Sequence, residues 1–538
     1  MFIFTRQLLF MYKYKYFLIL SGAIAVLLLW VLFPFSFDNN DDQTMFIISS
    51  GILSGQASPN IVLSNIYIGN LLEKLFLFSD SLNWYTLYLE LVLLFCFLLV
   101  CWILIKNNKI ILFISCCIVL ILFLGFFALC IVKIQYTTVA LLCSGAALLL
   151  LQSDYRSRSA SFFLVLILTI SFLIRKEVFY IFIFFAVPAF LKKVKHKDVP
   201  GFYGLLVILS GVFFLLMLKI NHSDNAYYKY QTYSNIKGLD IIAAKNIKMD
   251  DRLLKKHNVS IDDILLLQSW FVADEYYLND HLLEQLAKEL KTNRNLIEVK
   301  AELLRYVSDE RYVLFFYLFT FIMVFIFVRK QQMTITVNLM LFLFLLLYLT
   351  VTSRIPHRVT FPILSYLIFL NLSLFAKSET DERLKAALFG VLVLVSIYKF
   401  YCTFQLKDMQ QKNHQLFAYY QQEINSNPET IFIALDDLQM PYMNAWQKPS
   451  ELFNAQNVLF CGWYTCAPDY QKLLKIHNLK NLTSDLSNNQ KVLFLTESKL
   501  FMQAYVNVMK QRYNLHCHFE EQRHGFRYLH PKKLVFDN

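Results

Sequence analysis

Residues 84–132 read WYTLYLELVLLFCFLLVCWILIKNNKIILFISCCIVLILFLGFFALCIV, two apolar runs broken by a polar tetrad at 106–109, with Glu90 the one charge inside either run. A bilayer core about 30 Å thick needs about 20 apolar residues at 1.5 Å rise, so each run is long enough to cross as a helix. Working outward, the same measure marks further runs near 16–35, 137–151, 160–174, 177–191, 201–219, 311–328, 335–352, 361–376 and 386–403. The 538 residues are 57% hydrophobic and 17% charged, against about one quarter charged in a soluble chain, and Phe contributes 51 residues beside 13 Gly and 11 Pro. That balance excludes a soluble globular, collagen-like or disordered protein. The expected fold class is an α-helical polytopic membrane protein with about 11 transmembrane helices and a small C-terminal α/β domain. Its expected division is a membrane domain over 1–403 and a soluble domain over 404–538.

The net charge of +12 would elsewhere suggest nucleic acid. Membrane proteins instead concentrate Lys and Arg in cytoplasmic loops, and with the N-terminus inside, sixteen basic residues fall in the inner loops and six in the short outer ones. This orientation places the chain in the plasma or inner membrane with its C-terminus outside, and nucleic acid is not an expected partner. Residues 1–35 carry Arg6, Lys13 and Lys15 before an apolar core, but no small-x-small cleavage site follows, so they read as a retained anchor. Seven of the ten cysteines lie in apolar runs and read as buried hydrophobes; Cys461, Cys466 and Cys517 allow one disulfide at most.

Three polar regions share the expected outer face: 36–83, 220–310 and 404–538. The first opens with DNNDDQTMFIISSG at 38–51, where a helical turn would cluster Asp38, Asp41 and Asp42. Such carboxylates repel one another until a divalent cation, a basic group or a proton relieves them. The plain alternative is an acidic helix N-terminus, where Asp is favoured as cap and in the first turn. After it, Thr44–Leu53 and Ile61–Phe78 read as two amphipathic helices lying on the membrane surface. Two basic clusters also fall on this face: Arg175 and Lys176, followed by Glu177, and the tight turn of Arg354, Pro356, His357 and Arg358. Their plain readings are snorkelling cations and a capped helix end; together they could clamp a phosphate, which Arg binds bidentately. The run Lys192 to Lys197 is a topology signal or an anionic-lipid contact.

In the second region, Ser260 followed by Asp262 and Asp263 is a helix-start signature, and His281–Leu290 and Leu296–Val307 have helical spacing. Tyr227, Tyr228, Tyr230 and Tyr233 read as an interfacial aromatic belt ahead of sugar stacking. In the third, apolar runs at 431–435, 458–461, 492–495 and 515–519 alternate with helical patterns near 468–476 and 498–512, as a small α/β domain would. The pair Asp436-Asp437 after the first run reads as a turn. No P-loop, HExxH, GxSxG or zinc-ligand array is present.

The Asp41-Asp42 motif just after the first span, the surface helices before the second, a long outer loop after the seventh and a soluble outer C-terminal domain together resemble the C-type superfamily of integral-membrane glycosyltransferases. Members often carry a second acidic motif in the next outer loop, where this chain has Lys133-Ile134-Gln135-Tyr136. The resemblance implies transfer of a sugar from a polyprenyl-phosphate donor to a glycan or lipid-linked acceptor outside the cytoplasm. It implies Asp41 as general base, with Asp42 orienting it or binding Mg or Mn. Asp38, Arg175, Lys176, Arg354, His357 and Arg358 would then bind substrate. Two other readings stay open: a polymerase or ligase of lipid-linked glycans, in which the outer arginines dominate, and a non-enzymatic transporter or flippase. The latter needs polar residues at mid-bilayer, and the spans offer few beyond Glu90.

Overall fold

A computed structural model describes residues 2–52, 54–61, 63–105, 111–153, 158–195, 211–212, 215, 251–269, 271, 296–352, 355–435, 443–452, 457–461, 468–479, 491–522 and 531–536. In chain order the elements are α1 (Phe2–Leu32), β1 (Ser36–Phe37), α2 (Asn40–Ser50), α3 (Ile66–Phe78), α4 (Trp84–Ile105), α5 (Leu112–Leu122), α6 (Ala128–Val132), β2 (Lys133–Ile134), α7 (Tyr136–Gln152), α8 (Arg158–Ile174) and α9 (Val178–Lys195). There follow α10 (Asp251–Lys256), α11 (Ile261–Gln268), α12 (Leu296–Asp309), α13 (Arg311–Phe327), α14 (Gln332–Thr352), α15 (His357–Ala376) and α16 (Glu382–Asn425). The chain ends with β3 (Ile431–Ala434), β4 (Val458–Phe460), α17 (Pro468–Ile476), β5 (Val492–Leu495), α18 (Lys499–Tyr513), β6 (Cys517–Glu521) and β7 (Lys532–Phe536).

Ten of the eleven expected runs fall on these helices; the eleventh, 201–219, lies almost wholly outside the described residues. Among the described residues five helices are long and apolar enough to cross a membrane: Trp84–Ile105, Leu112–Val132, Arg329–Val351, His357–Ala376 and Glu382–Asn425. A sixth arises if α12 and α13, which meet at 79°, are one broken span. Shorter apolar helices cover Phe17–Leu32, Tyr136–Gln152, Ala160–Ile174 and Val178–Ala189. The protein is thus a helical membrane protein.

Two compact units divide the chain. The first comprises Met1–Asp38, Thr86–Leu216 and Asn295–Gln411. At its centre stands α7, buried from Tyr136 to Leu151 and packed on α8, α9 and α15. Small residues allow this: a Cβ on Gly145 would lie 3.1 Å from that of Tyr366, and Ser144 Oγ sits 2.8 Å from Ser171 Oγ on α8. Interhelical hydrogen bonds of this kind contribute about 0.6 kcal/mol each inside a bilayer. The helix α15 is equally enclosed, whereas α13 and α14 leave Phe315, Leu318, Ile322, Phe344 and Leu347 exposed, a surface suited to hydrocarbon. Between α5 and α6 a π-turn over Phe123–Phe127 brings Gly125 against Ser396 of α16.

The second unit comprises Asn39–Tyr85, Met217–Arg294 and Lys412–Asn538, so the acidic loop groups with the C-terminal region. Its sheet has the order β4-β3-β5-β7-β6, with β4, β3 and β5 parallel and β7 antiparallel to both β5 and β6. The three predicted core strands are buried throughout, and the run near 515–519 is β6; β7 was not anticipated. On one side Phe494, Phe519, Tyr505 and Phe271 pack ring on ring, and burial pushes the Tyr505 phenol up. Cys461 and Cys517 are buried, and Cys466 lies outside the described residues.

The Ser260 signature is a reciprocal cap: Asp263 N donates to Ser260 Oγ, while Asp263 Oδ2 accepts from both the nitrogen and the hydroxyl of Ser260. The same carboxylate meets Arg512 of α18 through Nε at 3.0 Å and through Nη2. Asp263→Ala therefore removes one arm of the reciprocal cap and the carboxylate partner of a mostly buried guanidinium, an expected loss of about 3–5 kcal/mol of stability. Denaturant unfolding checks this, and a loss below about 1 kcal/mol would place the pair with weak surface bridges.

Candidate functional site

The acidic loop takes the form of a helix start. Asn39 caps α2 through its side chain to Asp42 N, with Asp41 and Asp42 in the first turn. Asp42 is fully buried and its Oδ1 accepts from the Tyr85 hydroxyl at 2.8 Å. Asp41 is half-buried and its Oδ2 accepts from Asn39 Nδ2 at 3.3 Å. The following residues Met45–Ile48 are buried on every side, so α2 is an interior helix, while α3 exposes Leu71, Leu77 and Phe78. Asp38 precedes the cap and is held in the first unit: β1 pairs with β2, Asp38 N donates to Ile134 O, and its carboxylate lies 3.8 Å from Lys133. The three carboxylates therefore do not share one helical turn.

The side chain of Arg175 and the backbone of Arg358 meet the start of α7. Gln135 caps this helix, accepting from Thr138 N at 2.7 Å and donating to Thr137 Oγ1 at 3.2 Å. Arg175, between α8 and α9, donates from Nη1 to the Tyr136 hydroxyl at 2.7 Å and to Thr137 Oγ1, and lies over the Tyr136 ring at 5.2 Å. Its Nε is 3.5 Å from Glu177, and none of these contacts uses Nη2. One residue along α7, the Thr138 hydroxyl meets the carbonyl of Arg358 in the first turn of α15 at 3.5 Å. Arg175 and the carbonyl of Arg358, far apart in sequence, thus meet neighbouring threonines. Lys176 and Arg358 are half-buried; Arg354 lies outside the described residues.

Two carboxylates from α12 and its elbow with α13 hold the segment before α15. Glu302 Oε1 accepts from Ile355 N at 3.1 Å, and Glu310, 2% exposed, bonds His357 Nδ1. His357 is half exposed, and its ring lies 5.3 Å from that of Phe361. Glu310 also interacts electrostatically with Lys399 of α16, whose ammonium lies 5.7 Å over the Tyr312 ring.

The sequence singled out His357 and passed over Glu310, Glu302, Tyr136 and Thr137. Glu310 stands directly before an apolar run, where an acid reads as a helix-start residue, yet its side chain makes no cap contact and reaches across to α15. Among the described residues no three His, Cys, Asp or Glu gather as they would in an all-protein metal site. Asp436, Asp437, the tyrosines at 227–233 and the 281–290 stretch lie outside the described residues. No protein-family model matches the chain, and no curated protein or solved structure matches it.

Proposed function

We propose that the chain is an integral-membrane glycosyltransferase of the C-type kind that moves a sugar from a polyprenyl-phosphate donor to an extracytoplasmic glycan or lipid-linked acceptor. In this reading it has about 11 spans, an inner N-terminus and an outer soluble domain. The observation that carries the proposal is the convergence of Arg175 and the His357-Arg358 start of α15 on Thr137 and Thr138. A phosphate diester needs cations whose donors are held before it arrives, because charge grows on the phosphate oxygen as the sugar's C1–O bond breaks. Arg175 meets that need: aromatic, hydroxyl and carboxylate partners hold its plane, its Nη1 and its Nε and leave Nη2 for a ligand. The exposed apolar residues of α13 and α14 fit a donor that arrives from within the bilayer.

The test uses the full chain in proteoliposomes with radiolabelled polyprenyl-phosphate hexoses and pentoses and a lipid-linked glycan acceptor. The expected result is a labelled glycan with release of polyprenyl phosphate. Movement of intact donor across the bilayer, with no new glycosidic bond, would overturn the reading in favour of a flippase.

A further inference from the structure

Sugar transfer to a hydroxyl needs a group that takes the hydroxyl proton. From sequence that group is Asp41. We infer that it is His357, oriented by the buried carboxylate of Glu310; the inference rests on the transferase reading above. Glu310 is 2% exposed and makes no cap contact with its own helix, and its described side-chain hydrogen bond is with His357 Nδ1. A carboxylate only accepts, so this partner places the ring proton on Nδ1 and leaves the Nε2 lone pair as the acceptor. Nε2 takes part in none of the described contacts, on a side chain that is 51% exposed. The ring is further set by Phe361 at 5.3 Å, and the preceding backbone by Glu302 on Ile355 N.

This is the arrangement in which a buried acid orients an imidazole and offsets the charge created when a proton reaches its far nitrogen. It stands one residue before Arg358, whose carbonyl meets Thr138 beside the Arg175 anchor. In the step, the acceptor oxygen bonds to the sugar C1 as the C1–O bond to phosphate breaks. The bonding pair leaves on the phosphate oxygen, facing Arg175, and the hydroxyl proton passes to Nε2. The imidazolium then returns its proton to solvent. His357 is thus the catalytic base and Glu310 a positioning residue.

The experiment measures kcat and donor KM in the same proteoliposomes for wild type, His357→Ala, Glu310→Gln and Glu310→Asp. His357→Ala is expected to lower kcat by about 10²–10⁴-fold with donor KM within a few-fold, and added imidazole to restore part of kcat. Glu310→Gln, whose amide can present a donor to Nδ1, is expected to lower kcat by about 10²-fold, with Glu310→Asp retaining more. A rise in KM with unchanged kcat would make His357 a binding residue and overturn the inference. So would loss of transfer in Asp41→Asn while His357→Ala transfers normally. Absence of any transfer by wild type would overturn the transferase reading together with this one, whereas normal transfer by His357→Ala would overturn this one alone.

Discussion

Arg175→Ala is expected to lower kcat/KM for sugar transfer by about 10²–10³-fold, the loss typical when one preorganised donor to developing negative charge is removed. The size follows from how the side chain is held. Its Nη1 is engaged by the Tyr136 hydroxyl and by Thr137, its Nε faces Glu177, and its plane lies 5.2 Å over an aromatic ring. A guanidinium held through Nη1 and Nε and open at Nη2 needs no reorganisation when a phosphate arrives. Arg175→Lys should therefore recover little, because a single ammonium cannot keep the hydroxyl partners and face a ligand at once. Thr137→Val keeps the shape and deletes one acceptor; a hydrogen bond to a charged group is worth about 1.5–3 kcal/mol, so transfer should fall about 10- to 100-fold. Melting temperatures separate this from misfolding, since Arg175 stands at a helix junction and not within the α7–α15 contact. Wild-type transfer by Arg175→Ala would reduce the residue to a snorkelling cation.

What the sequence made legible follows the range of the physics involved. The helices over 84–105 and 112–132 were visible because a continuous apolar run needs only length to be read. The Ser260–Asp263 cap was visible because its partners are three residues apart. The strand Lys532–Phe536 is not legible in this way: two lysines lead it and Pro531 precedes it, so its apolar part is three residues long. In the acidic loop the cap reading describes the geometry seen, with Asn39 as the capping residue and Asp42 bonded to Tyr85, 43 positions on. The run Met45–Ile48 is apolar at four consecutive positions, which fits burial on all sides better than one lipid-facing stripe. Glu310 and His357 are 47 residues apart. Nothing local to either marks the pair, so only the 79° elbow between α12 and α13 reveals it.

Gly69→Ala is expected to destabilise the second unit by about 3 kcal/mol or more, although it replaces the poorest ordinary helix former with the best one. Intrinsic propensity alone favours Ala by about 1 kcal/mol within a helix such as α3. Against that, a Cβ on Gly69 would lie 1.9 Å from the carbonyl oxygen of Pro59 and 2.7 Å from its carbon. Both are backbone atoms, so no side chain can swing aside, and the overlap outweighs the propensity. The displaced segment is not free to move either. The Pro59 carbonyl accepts from Ile61 N at 2.9 Å, and its neighbours Ser58 and Asn60 both donate to Oδ2 of Asp469, a 4% exposed residue in the first turn of α17. Moving Pro59 therefore strips donors from a buried carboxylate whose remaining described partner is Lys472 at 2.9 Å. This makes a second, sharper expectation: in a double-mutant cycle, Asp469→Asn should cost less in the Gly69→Ala background than in wild type, because the contact it removes is already broken. Denaturant unfolding of the four proteins reads both effects, and additive costs, or a Gly69→Ala chain as stable as wild type, would show that the segment around Pro59 yields without losing its hold on α17.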